Sequence, residues 1–392
     1  MPESLFVVGG EVRPPYFIGR KNEIEKMKMD IRTLAQNNVI IGPRRIGKTS
    51  LLRNLKADVE KEVLFVTINC REMTGLSDFF RVVTQALLAT YEEKHQIKGL
   101  VQKYSQVFRG KITAAYKSIS EIGGSIEHIG NVYLRFREND INEYELVAET
   151  FYFIRRFSEE KKEPIILAFD EFQELRRFNG YIFNMLKSQM DSQPAVRYIF
   201  SGSSVSLLHE VFLKPDSPLY LMAARIQLEP IDEEYVVAYI RDRLLTQNIR
   251  ITDRALKRIY TCTAGFPFYF QKIGFILYQN SVLKNKNIID EDDVENAFTS
   301  MLNEFDSEFE ARYEWKFSDQ QKTILKFLSR EKYRRLSEIS YDMQTPASSL
   351  TTSMKDLYNT MTVEKPKDGM YGIFDNVFRI WIKRNILKPG SE

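Results

Sequence analysis

Nine consecutive residues carry the clearest chemistry in this chain. The first eight match the pattern G-x-x-x-x-G-K-[ST], which is typical of a loop that binds the phosphates of a nucleoside triphosphate. In such a loop, backbone N–H groups and a helix N-terminus converge on phosphate oxygens, and glycines allow a close approach. Lys48 is predicted to reach the β- and γ-phosphates, and the Thr49 hydroxyl to bind Mg²⁺. The predicted loop consists of Gly42, Pro43, Arg44, Arg45, Ile46, Gly47, Lys48, Thr49 and Ser50.

The residues on either side of this loop fit the same prediction. Asn38–Ile41 reads as a short apolar strand, and Ser50–Arg53 reads as the first turn of a helix. A strand, a glycine-rich loop and a helix in this order are the structural setting that such a site requires. The alternative is a glycine-rich surface turn that matches the pattern by chance.

Two adjacent carboxylates supply a second part of the predicted chemistry. Asp170 and Glu171 follow a nearly continuous apolar run, residues 164–169, which predicts a strand at the centre of a parallel sheet. Ligands gather at the carboxyl ends of such strands. We predict that Asp170 holds Mg²⁺ through a water and that Glu171 polarises the water attacking the γ-phosphate. Lys48, Asp170 and Glu171 are thus the predicted catalytic residues, and Thr49 and Asp170 the predicted Mg²⁺ ligands; a solvated acidic turn is the alternative.

These sites need a sheet to position them. Residues 63–69 and 196–200 read as further strands, and residues 145–157 and 181–190 read as helices between them. Alternating strands and helices predict an α/β fold with a parallel sheet and right-handed crossovers. Ser203 or Ser204, after the strand at 196–200, is placed to sense the γ-phosphate, or equally to cap the helix that starts at Val205.

The motifs also distinguish between classes of nucleotide-binding protein. The chain has no Asn-Lys-x-Asp guanine motif, and small-molecule kinases do not normally pair their phosphate loop with an Asp-Glu strand end. The chain resembles the archaeal-type ATPases, which are related to STAND and Orc-type initiator ATPases. The resemblance rests on motifs in order along residues 14–280, namely Phe17–Glu23, Gly42–Ser50, Phe169–Gln173, Ser201–Ser204, Pro218–Tyr220, Leu228–Ile231 and Gly265–Pro267.

The resemblance implies further site residues and a strand order. In such ATPases the segment matching Phe17–Glu23 packs beside the adenine, which makes Gly19 and Arg20 candidate nucleotide contacts. The element matching Gly265–Pro267 touches the nucleotide from a helical lid, which adds Pro267. Without the family, the same residues read as a helix boundary with Pro267 in the first turn, and the two interpretations are compatible. The implied sheet is of the additional-strand, AAA+-like kind, with the strand ending at Phe200 between the phosphate-loop strand and the Asp170 strand.

The chain also departs from the family pattern. Many STAND-type relatives carry a Gly-Arg pair soon after a Pro-Leu-Tyr/Phe element, but here Leu221 and Met222 follow Tyr220. Arg225 either supplies the missing charge or begins the next strand, residues 226–228. An arginine finger in cis is therefore an open question. Arg44 and Arg45 either touch phosphate or a neighbouring subunit, or form a solvated charge pair.

Three domains are predicted. Residues 1–231 form the P-loop ATPase core, residues 232–315 a helical lid, and residues 316–392 a winged helix-turn-helix domain. The lid prediction rests on helical patterns without strand-like alternation at 233–245, 253–262, 269–280 and 291–313. In the C-terminal part, Ser318 is predicted to cap a first helix, further helices start near Leu336 and Pro346, and residues 363–374 resemble a two-stranded wing with Asp368 and Gly369 at its turn.

The C-terminal part is a candidate for binding duplex DNA. Residues 316–392 contain 14 Lys/Arg and 9 Asp/Glu, a local excess of +5 that fits phosphate contacts. The candidate recognition helix offers Lys355 among Ser348, Ser349, Thr351 and Thr352, which gives no strong base code. The alternative is a winged helix that binds a protein, a second copy of the chain, or the ATPase itself.

A basic segment interrupts the core at residues 94–141. Residues 94–137 contain 8 Lys/Arg and 2 Glu, with glycines at 110, 123 and 124 that divide the segment into a helix, a second helix and a hairpin. This segment has three possible interpretations, namely a second nucleic-acid surface, a partner-binding insertion, or a solvated basic elaboration of the core.

Composition sets limits on the remaining possibilities. The 392 residues include 43% hydrophobic and 28% charged residues, as in ordinary globular proteins, and a net charge of +3 that alone does not imply nucleic acid. Cys70 and Cys262 are expected to be buried thiols, and three histidines without Cys pairs make a zinc site improbable. No apolar run is long enough for a membrane span, and the N-terminus lacks a signal-peptide pattern, so a cytoplasmic location is expected.

Together these observations predict an ATP-binding, Mg²⁺-dependent ATPase. Its nucleotide state would change the lid and thereby what the winged helix contacts. Two alternatives are open. One is a regulator or scaffold that binds nucleotide but turns over little, and the other is a DNA-binding transcription regulator in which ATP stabilises the fold.

Overall fold

The computed structural model describes residues 4–102, 124–178, 180–367 and 369–387. The chain divides into two compact units. The first, here called the sheet unit, comprises Lys21–Ile41 and Leu51–Gln227. The second, here called the loop–lid unit, comprises Met1–Arg20, Gly42–Ser50 and Leu228–Glu392. The phosphate loop thus belongs to the same compact unit as the C-terminal half of the chain.

The sheet unit is built on five parallel strands in the order β2-β3-β4-β1-β5. This confirms the predicted α/β fold and the predicted place of β4 between β1 and β3. Their bounds are Asn37–Ile41 (β1), Leu64–Asn69 (β2), Ile165–Asp170 (β3), Val196–Ser201 (β4) and Ala223–Gln227 (β5).

Strand β3 lies in the middle of the hydrophobic core. Its residues from Ile165 to Phe169 are fully buried, as expected for a strand covered on both faces. The Phe169 ring stacks on Phe200 of β4 at 6.0 Å between centroids and on Phe79 at 6.2 Å. This packing fixes the end of β3, where the two predicted catalytic carboxylates follow.

The helices predicted before β5, namely those after the loop, at 145–157, at 181–190 and from Val205, are present, and two further helices, Lys21–Thr33 and Leu76–His95, were not predicted. Residues 124–137 form a helix where a hairpin was expected, because Val132, Tyr133 and Phe136 place their apolar side chains at helical spacing, with Val132 buried and Tyr133 stacked on Phe80. The other two predicted elements of the basic segment fall largely on residues 103–123, outside the described residues. The helices are Lys21–Thr33 (α1), Lys48–Val59 (α2), Leu76–His95 (α3), Gly124–Arg137 (α4), Glu143–Lys161 (α5), Tyr181–Ser192 (α6) and Val205–Leu213 (α7), with 3-10 turns at Cys70–Glu72 and Phe172–Phe178.

Within the loop–lid unit, residues 228–316, here called the lid, are mainly helical. Two expectations were wrong here. The single helix expected at 291–313 is broken at Phe305. The region was also expected to contain no strands, but two parallel strands, too short to show alternation, pair with each other. The elements are Glu233–Leu245 (α8), Arg250–Ile251 (β6), Asp253–Thr263 (α9), Pro267–Leu283 (α10), Ile288–Ile289 (β7), Glu291–Glu304 (α11) and Asp306–Lys316 (α12).

Residues 318–387 contain the elements predicted for a winged helix. Ser318 forms a capping box with Gln321, and an antiparallel hairpin follows the third helix, with Gly369 at a φ of +76° in its turn. Asp368, the other predicted turn residue, lies outside the described residues. A short additional strand, β8, pairs with β10 in the order β8-β10-β9. The bounds are Asp319–Leu328 (α13), Arg334–Arg335 (β8), Leu336–Asp342 (α14), Ala347–Asn359 (α15), Val363–Lys367 (β9), Met370–Ile373 (β10) and Asn376–Asn385 (α16).

Candidate functional site

The two glycines of the phosphate loop are required by its backbone path. At Gly42, a Cβ would lie 2.9 Å from the Ile46 Cγ2 and 3.3 Å from the Leu228 Cβ, closer than ordinary contact. Gly47 has a φ of +98°, in the region that favours glycine. The loop is therefore tightly folded over its own buried Ile46, and a side chain at either glycine would disturb it.

Lys48 closes this loop from inside. The residue is 8% exposed, and its Nζ donates to the carbonyl oxygens of Gly42 and Pro43, both at 2.7 Å. It is also the first residue of α2, so the ammonium group lies where the helix N-terminus begins. A positive charge and a helix N-terminus at one place favour a phosphate group.

The next two residues face different surroundings. Thr49 is an exposed residue. Ser50 is buried, and its Oγ accepts a hydrogen bond of 3.1 Å from the backbone N–H of Val12. Ser50 therefore helps to anchor the N-terminal segment on the loop.

Arg20 supports the loop through backbone carbonyls. The residue is buried, and its guanidinium donates to the carbonyl oxygens of Ile46 at 3.4 Å and Glu229 at 2.5 Å. Gly19, with a φ of +68°, leaves no room for a Cβ, which would lie 2.8 Å from Ile231. The predicted adenine-side segment thus ties the loop to the start of the lid.

The two arginines of the loop differ in their positions. Arg44 is exposed, whereas the side chain of Arg45 enters the lid. The Arg45 guanidinium lies 2.6 Å from Glu308 Oε2 and over the rings of Phe268 and Phe305, at 4.4 and 4.6 Å from their centroids. Arg45 is thus held by a lid carboxylate and aromatic rings, which differs from a solvated charge pair.

Pro267 brings the lid to the loop. It is the first residue of α10, as the helix-boundary interpretation predicts, and its Cγ lies 4.0 Å from the position that a Cβ would take on Gly47. The preceding Gly265 has a φ of +76°, and a Cβ there would lie 2.0 Å from the carbonyl oxygen of Ile231. Both interpretations of Gly265–Pro267, as a helix start and as an element beside the loop, therefore fit the geometry.

In the sheet unit, Asp170 ends β3 beside Asn69, the last residue of β2. Its Oδ1 accepts hydrogen bonds from the Ser201 hydroxyl at 2.9 Å and from the backbone N–H of Glu171 at 3.0 Å. Ser201 is the last residue of β4. Adjacent strand ends thus orient the Asp170 carboxylate, as the parallel sheet predicts.

Both carboxylate oxygens of Glu171 are bound. Oε1 lies 2.8 Å from the Arg71 guanidinium, and Oε2 accepts from the Ser203 hydroxyl at 2.8 Å and from the Gln173 amide. Burial alone would raise the pKa of Glu171, but these hydrogen bonds and the charge of Arg71 outweigh it and lower the pKa. Glu171 is therefore held as a carboxylate, the form that a general base requires.

A family comparison bears on these two groups of residues. The model of an ATPase domain found predominantly in Archaea matches residues 17–273 of this chain. The chain belongs to this family. Membership confirms the predicted archaeal-type ATPase and a nucleotide-binding ATPase domain, while the roles of single residues stay predictions.

Solved structures of low sequence identity share the fold. A Walker-type ATPase of Pyrococcus abyssi is 19% identical, with a TM-score of 0.69 over 97% of this chain and 99% of that chain. The ORC2 protein of Aeropyrum pernix, solved as ADPNP–ADP complexes, is 13% identical, with a TM-score of 0.57 over 96% and 97% of the two chains. A comparison with curated proteins found no match.

Two residues with open alternatives in this ATPase-family chain have the following contacts, and their roles stay predictions. Ser203 contacts Glu171, while Ser204 stands at the N-cap of α7, where, among the described residues, its side chain makes no capping hydrogen bond. Arg225 lies in the middle of β5, which begins and ends earlier than the strand expected at 226–228, and it contacts Gln227.

Sequence reasoning missed three residues of this site. Arg71 and Gln173 hold Glu171, and Glu308 holds Arg45. Arg71 follows β2 by two residues, at the same sheet edge as Asp170, so strand order alone could have suggested it. No comparable pattern marks Glu308, because its contact depends on how the lid helices pack.

Other predicted features have simple structural descriptions. Cys70 and Cys262 are both buried and, in the described chain, neither forms a disulfide; burial raises the pKa of both thiols. Across the described residues, no group of three or more His, Cys, Asp or Glu side chains has the arrangement of a metal site. No helix within the described ranges is long and apolar enough to cross a membrane.

In the C-terminal part, one face of α15 and the end of β9 are exposed. The five predicted contact residues of α15, and the lysines of β9, lie on the surface. Arg334 of β8 is instead bound within the chain, because its guanidinium binds Asp342 at 2.6 Å and the Phe327 carbonyl at 3.1 Å. The exposed residues are Ser348, Ser349, Thr351, Thr352, Lys355, Lys365 and Lys367.

Proposed function

We propose that this protein is a Mg²⁺-dependent ATPase whose nucleotide state controls what its C-terminal residues bind. The observation that carries the proposal is Glu171, a carboxylate that directly follows β3, next to Asp170, and is oriented by Arg71, Ser203 and Gln173. A base in this form can accept a proton from the water that attacks the γ-phosphate. Membership of an ATPase domain family supports the same reading.

The phosphate loop would bind and orient ATP. Lys48 already lies within the loop, where its ammonium group donates to two backbone carbonyls. We propose that it transfers part of this hydrogen bonding to the β- and γ-phosphates. Arg20 would keep the loop backbone in place through the Ile46 carbonyl, and Pro267 would limit the space beside Gly47.

The oxygen donors of the chain fit Mg²⁺. Thr49 offers a hydroxyl oxygen, and Asp170 a carboxylate oriented by Ser201. These are the hard oxygen ligands that Mg²⁺ prefers, together with phosphate oxygens and waters. When bound, Mg²⁺ would neutralise charge on the β- and γ-phosphates.

We further propose that residues 316–392 bind duplex DNA. The exposed hydroxyl side chains of α15 and the exposed Lys355, Lys365 and Lys367 support this, because such groups contact backbone phosphates. The same surface is also suited to an acidic protein partner or to a second copy of the chain.

A second candidate function has its own observation. Both oxygens of Glu171 are engaged, by Arg71 on one side and by Ser203 and Gln173 on the other. A base held in this way fits a nucleotide-bound switch that turns over slowly until a partner binds. The Gly-Arg pair of many STAND-type relatives is replaced here by Leu221 and Met222, which fits the same slow turnover.

The test is ATP turnover with Mg²⁺ by the wild type and by Glu171→Gln, each with and without duplex DNA. Glu174→Gln, a carboxylate in the 3-10 turn just beyond, is the matched control. We expect Glu171→Gln to lower turnover at least 100-fold while ATP still binds, and Glu174→Gln to resemble the wild type. Binding without turnover in any condition would contradict the ATPase and favour the switch. Stimulation by DNA would support the C-terminal DNA surface, and its absence would contradict it.

A further inference from the structure

A buried tyrosine hydroxyl joins the phosphate loop to the C-terminal part of the chain. Tyr269, in the first turn of α10, is 1% exposed. Its hydroxyl accepts a hydrogen bond of 3.4 Å from Arg45 Nη1 and donates one of 3.0 Å to Asp375 Oδ2. Arg45 lies in the loop and Asp375 directly precedes α16, 330 residues later in the chain.

The loop end of this connection is firmly held. The Arg45 guanidinium lies over the rings of Phe268 and Phe305 and pairs with Glu308, as described above. Its backbone has a φ of +71°, which is uncommon for a residue other than glycine. Such a conformation persists where surrounding contacts determine it, so a change in the loop would have to move these contacts.

The other end is built into the last helix. Asp375 Oδ1 accepts the backbone N–H of Phe378 at 3.1 Å and so caps α16, while its Oδ2 also accepts from Arg312 at 2.9 Å. The Arg312 guanidinium lies 4.1 Å from the centroid of the Phe378 ring. Burial and the nearby Asp375 raise the pKa of Tyr269, so its hydroxyl keeps its proton and acts as a donor.

We propose that Tyr269 couples the phosphate loop to the position of the C-terminal domain through Arg45 and Asp375. The proposal rests on the proposed function, because it takes ATP to be the ligand of the loop. ATP that reorders the loop would shift Arg45, and the shift would reach the cap of α16 through the tyrosine hydroxyl. By linkage, a ligand of the C-terminal domain would change the affinity for ATP by the same factor as ATP changes the affinity for that ligand. Arg45 thus acts as a link to the lid, whereas Lys48 acts on phosphate.

The chain carries its own reporter for this coupling. It has two tryptophans. Trp381, in α16, is 2% exposed, stacks on Phe378 at 6.0 Å between centroids and donates to Asp306 at 2.7 Å. Trp315 is 88% exposed. Trp315→Phe therefore leaves a single tryptophan that senses the helix capped by Asp375.

The experiment titrates the full-length Trp315→Phe protein with ATPγS and Mg²⁺, with Trp381 emission and calorimetry measured in parallel. We expect binding to shift the emission. Adding Tyr269→Phe keeps the ring but removes the hydroxyl, and it should abolish the shift while changing the Kd by about two- to tenfold. Asp375→Asn, which still offers an N-cap acceptor, should do the same. The matched control is Tyr239→Phe, another largely buried lid tyrosine, whose hydroxyl binds Gln271 at 2.9 Å and which should keep the full shift.

The outcomes separate the coupling from the function beneath it. A shift of unchanged size in both Tyr269→Phe and Asp375→Asn would overturn the coupling, as would saturating ATPγS binding with no shift in the parent. Loss of the shift in Tyr239→Phe as well would also overturn the coupling, because removing any buried tyrosine hydroxyl would then abolish the shift. Absence of ATPγS binding by calorimetry would instead overturn the proposed function.

Discussion

The phosphate loop and the carboxylate end of β3 are stabilised in different ways. In the loop, side chains bind backbone atoms, because the carbonyls of Gly42, Pro43 and Ile46 accept hydrogen bonds from Lys48 and Arg20. At the end of β3, side chains hold side chains, since Arg71, Gln173 and Ser203 all bind Glu171. A site stabilised by hydrogen bonds to backbone atoms depends on a local motif, whereas a site stabilised by contacts between side chains depends on residues far apart in the sequence.

The arginines of the two regions show the same difference. Arg45 is carried by the motif itself but turns away from it, into a lid cluster of rings and Glu308. Arg71 comes from the turn after β2 and binds the candidate base directly. The first arginine is suited to transmitting a change in the loop, and the second to setting the charge state of Glu171.

Lys48→Ala tests the loop at its strongest point. The substitution removes the ammonium group that donates to two loop carbonyls and that we expect to bind phosphate. Charge-assisted hydrogen bonds of this kind are worth about 1.5–3 kcal/mol each, so we expect ATP affinity to fall at least 100-fold by calorimetry. Lys56→Ala, in the last turn of the same helix, should bind ATP normally. Equal losses in both variants would show that helix α2, rather than this ammonium group, determines binding.

Gly265→Ala tests the backbone path of the same unit. The new Cβ would lie 2.0 Å from the Ile231 carbonyl oxygen at a φ of +76°. We expect the free energy of unfolding to fall by about 3 kcal/mol, measured by denaturant titration. Gly9→Ala is the control, since Gly9 has a φ of +79° with no described atom within 4 Å of its Cβ position. It should lose only about 1 kcal/mol. Similar losses at both positions would mean that the close approach to Ile231 adds nothing.

The parts predicted from sequence are those that depend on local pattern. The glycines, lysine and threonine of the loop, the apolar run of β3 and the Pro267 helix start are all readable within about ten residues of chain. The family resemblance added the strand order, with β4 between β1 and β3, which no local pattern supplies. Apolar burial made the strands predictable because β3 has almost no polar residue before Asp170.

The parts that were missed depend on contacts between distant segments. Residues 124–137 were expected to form a hairpin because Gly123 and Gly124 stand at their start, but the helical spacing of Val132 and Phe136 prevails. Arg71 and Glu308 have ordinary sequence surroundings, and their roles follow from strand order and lid packing. The break at Phe305 lies between two helix-forming segments, and its ring contacts Phe268 and Phe309 in the lid.

Ser203→Ala tests whether Glu171 is oriented by side chains. The variant removes the hydroxyl that donates to Oε2 at 2.8 Å and leaves the longer backbone contact at 3.3 Å. We expect turnover at neutral pH to fall about tenfold with ATP affinity unchanged, because one hydrogen bond to a charged group is lost. Ser204→Ala, at the adjacent position without a contact to Glu171 among the described hydrogen bonds, should keep turnover within about twofold. A loss in Ser204→Ala alone would assign the role to the helix cap instead.

Arg71→Ala tests the charge on that carboxylate, with the smallest expected effect. Arg71 is 52% exposed, so its ion pair with Glu171 is worth at most about 1 kcal/mol. Folding lowers the pKa of Glu171, so this base stays ionised to a lower pH. Removing Arg71 should raise the pKa again, so that Glu171 is protonated, and activity is lost, already at a less acidic pH. The acid limb of the pH profile of kcat/KM should therefore move to higher pH, with turnover about threefold lower at acidic pH and unchanged at neutral pH. Arg176→Ala, which removes an exposed arginine paired with Glu210, should leave the profile in place. A rise in turnover at every pH in Arg71→Ala would instead mean that Arg71 restrains Glu171, as the nucleotide-bound switch requires.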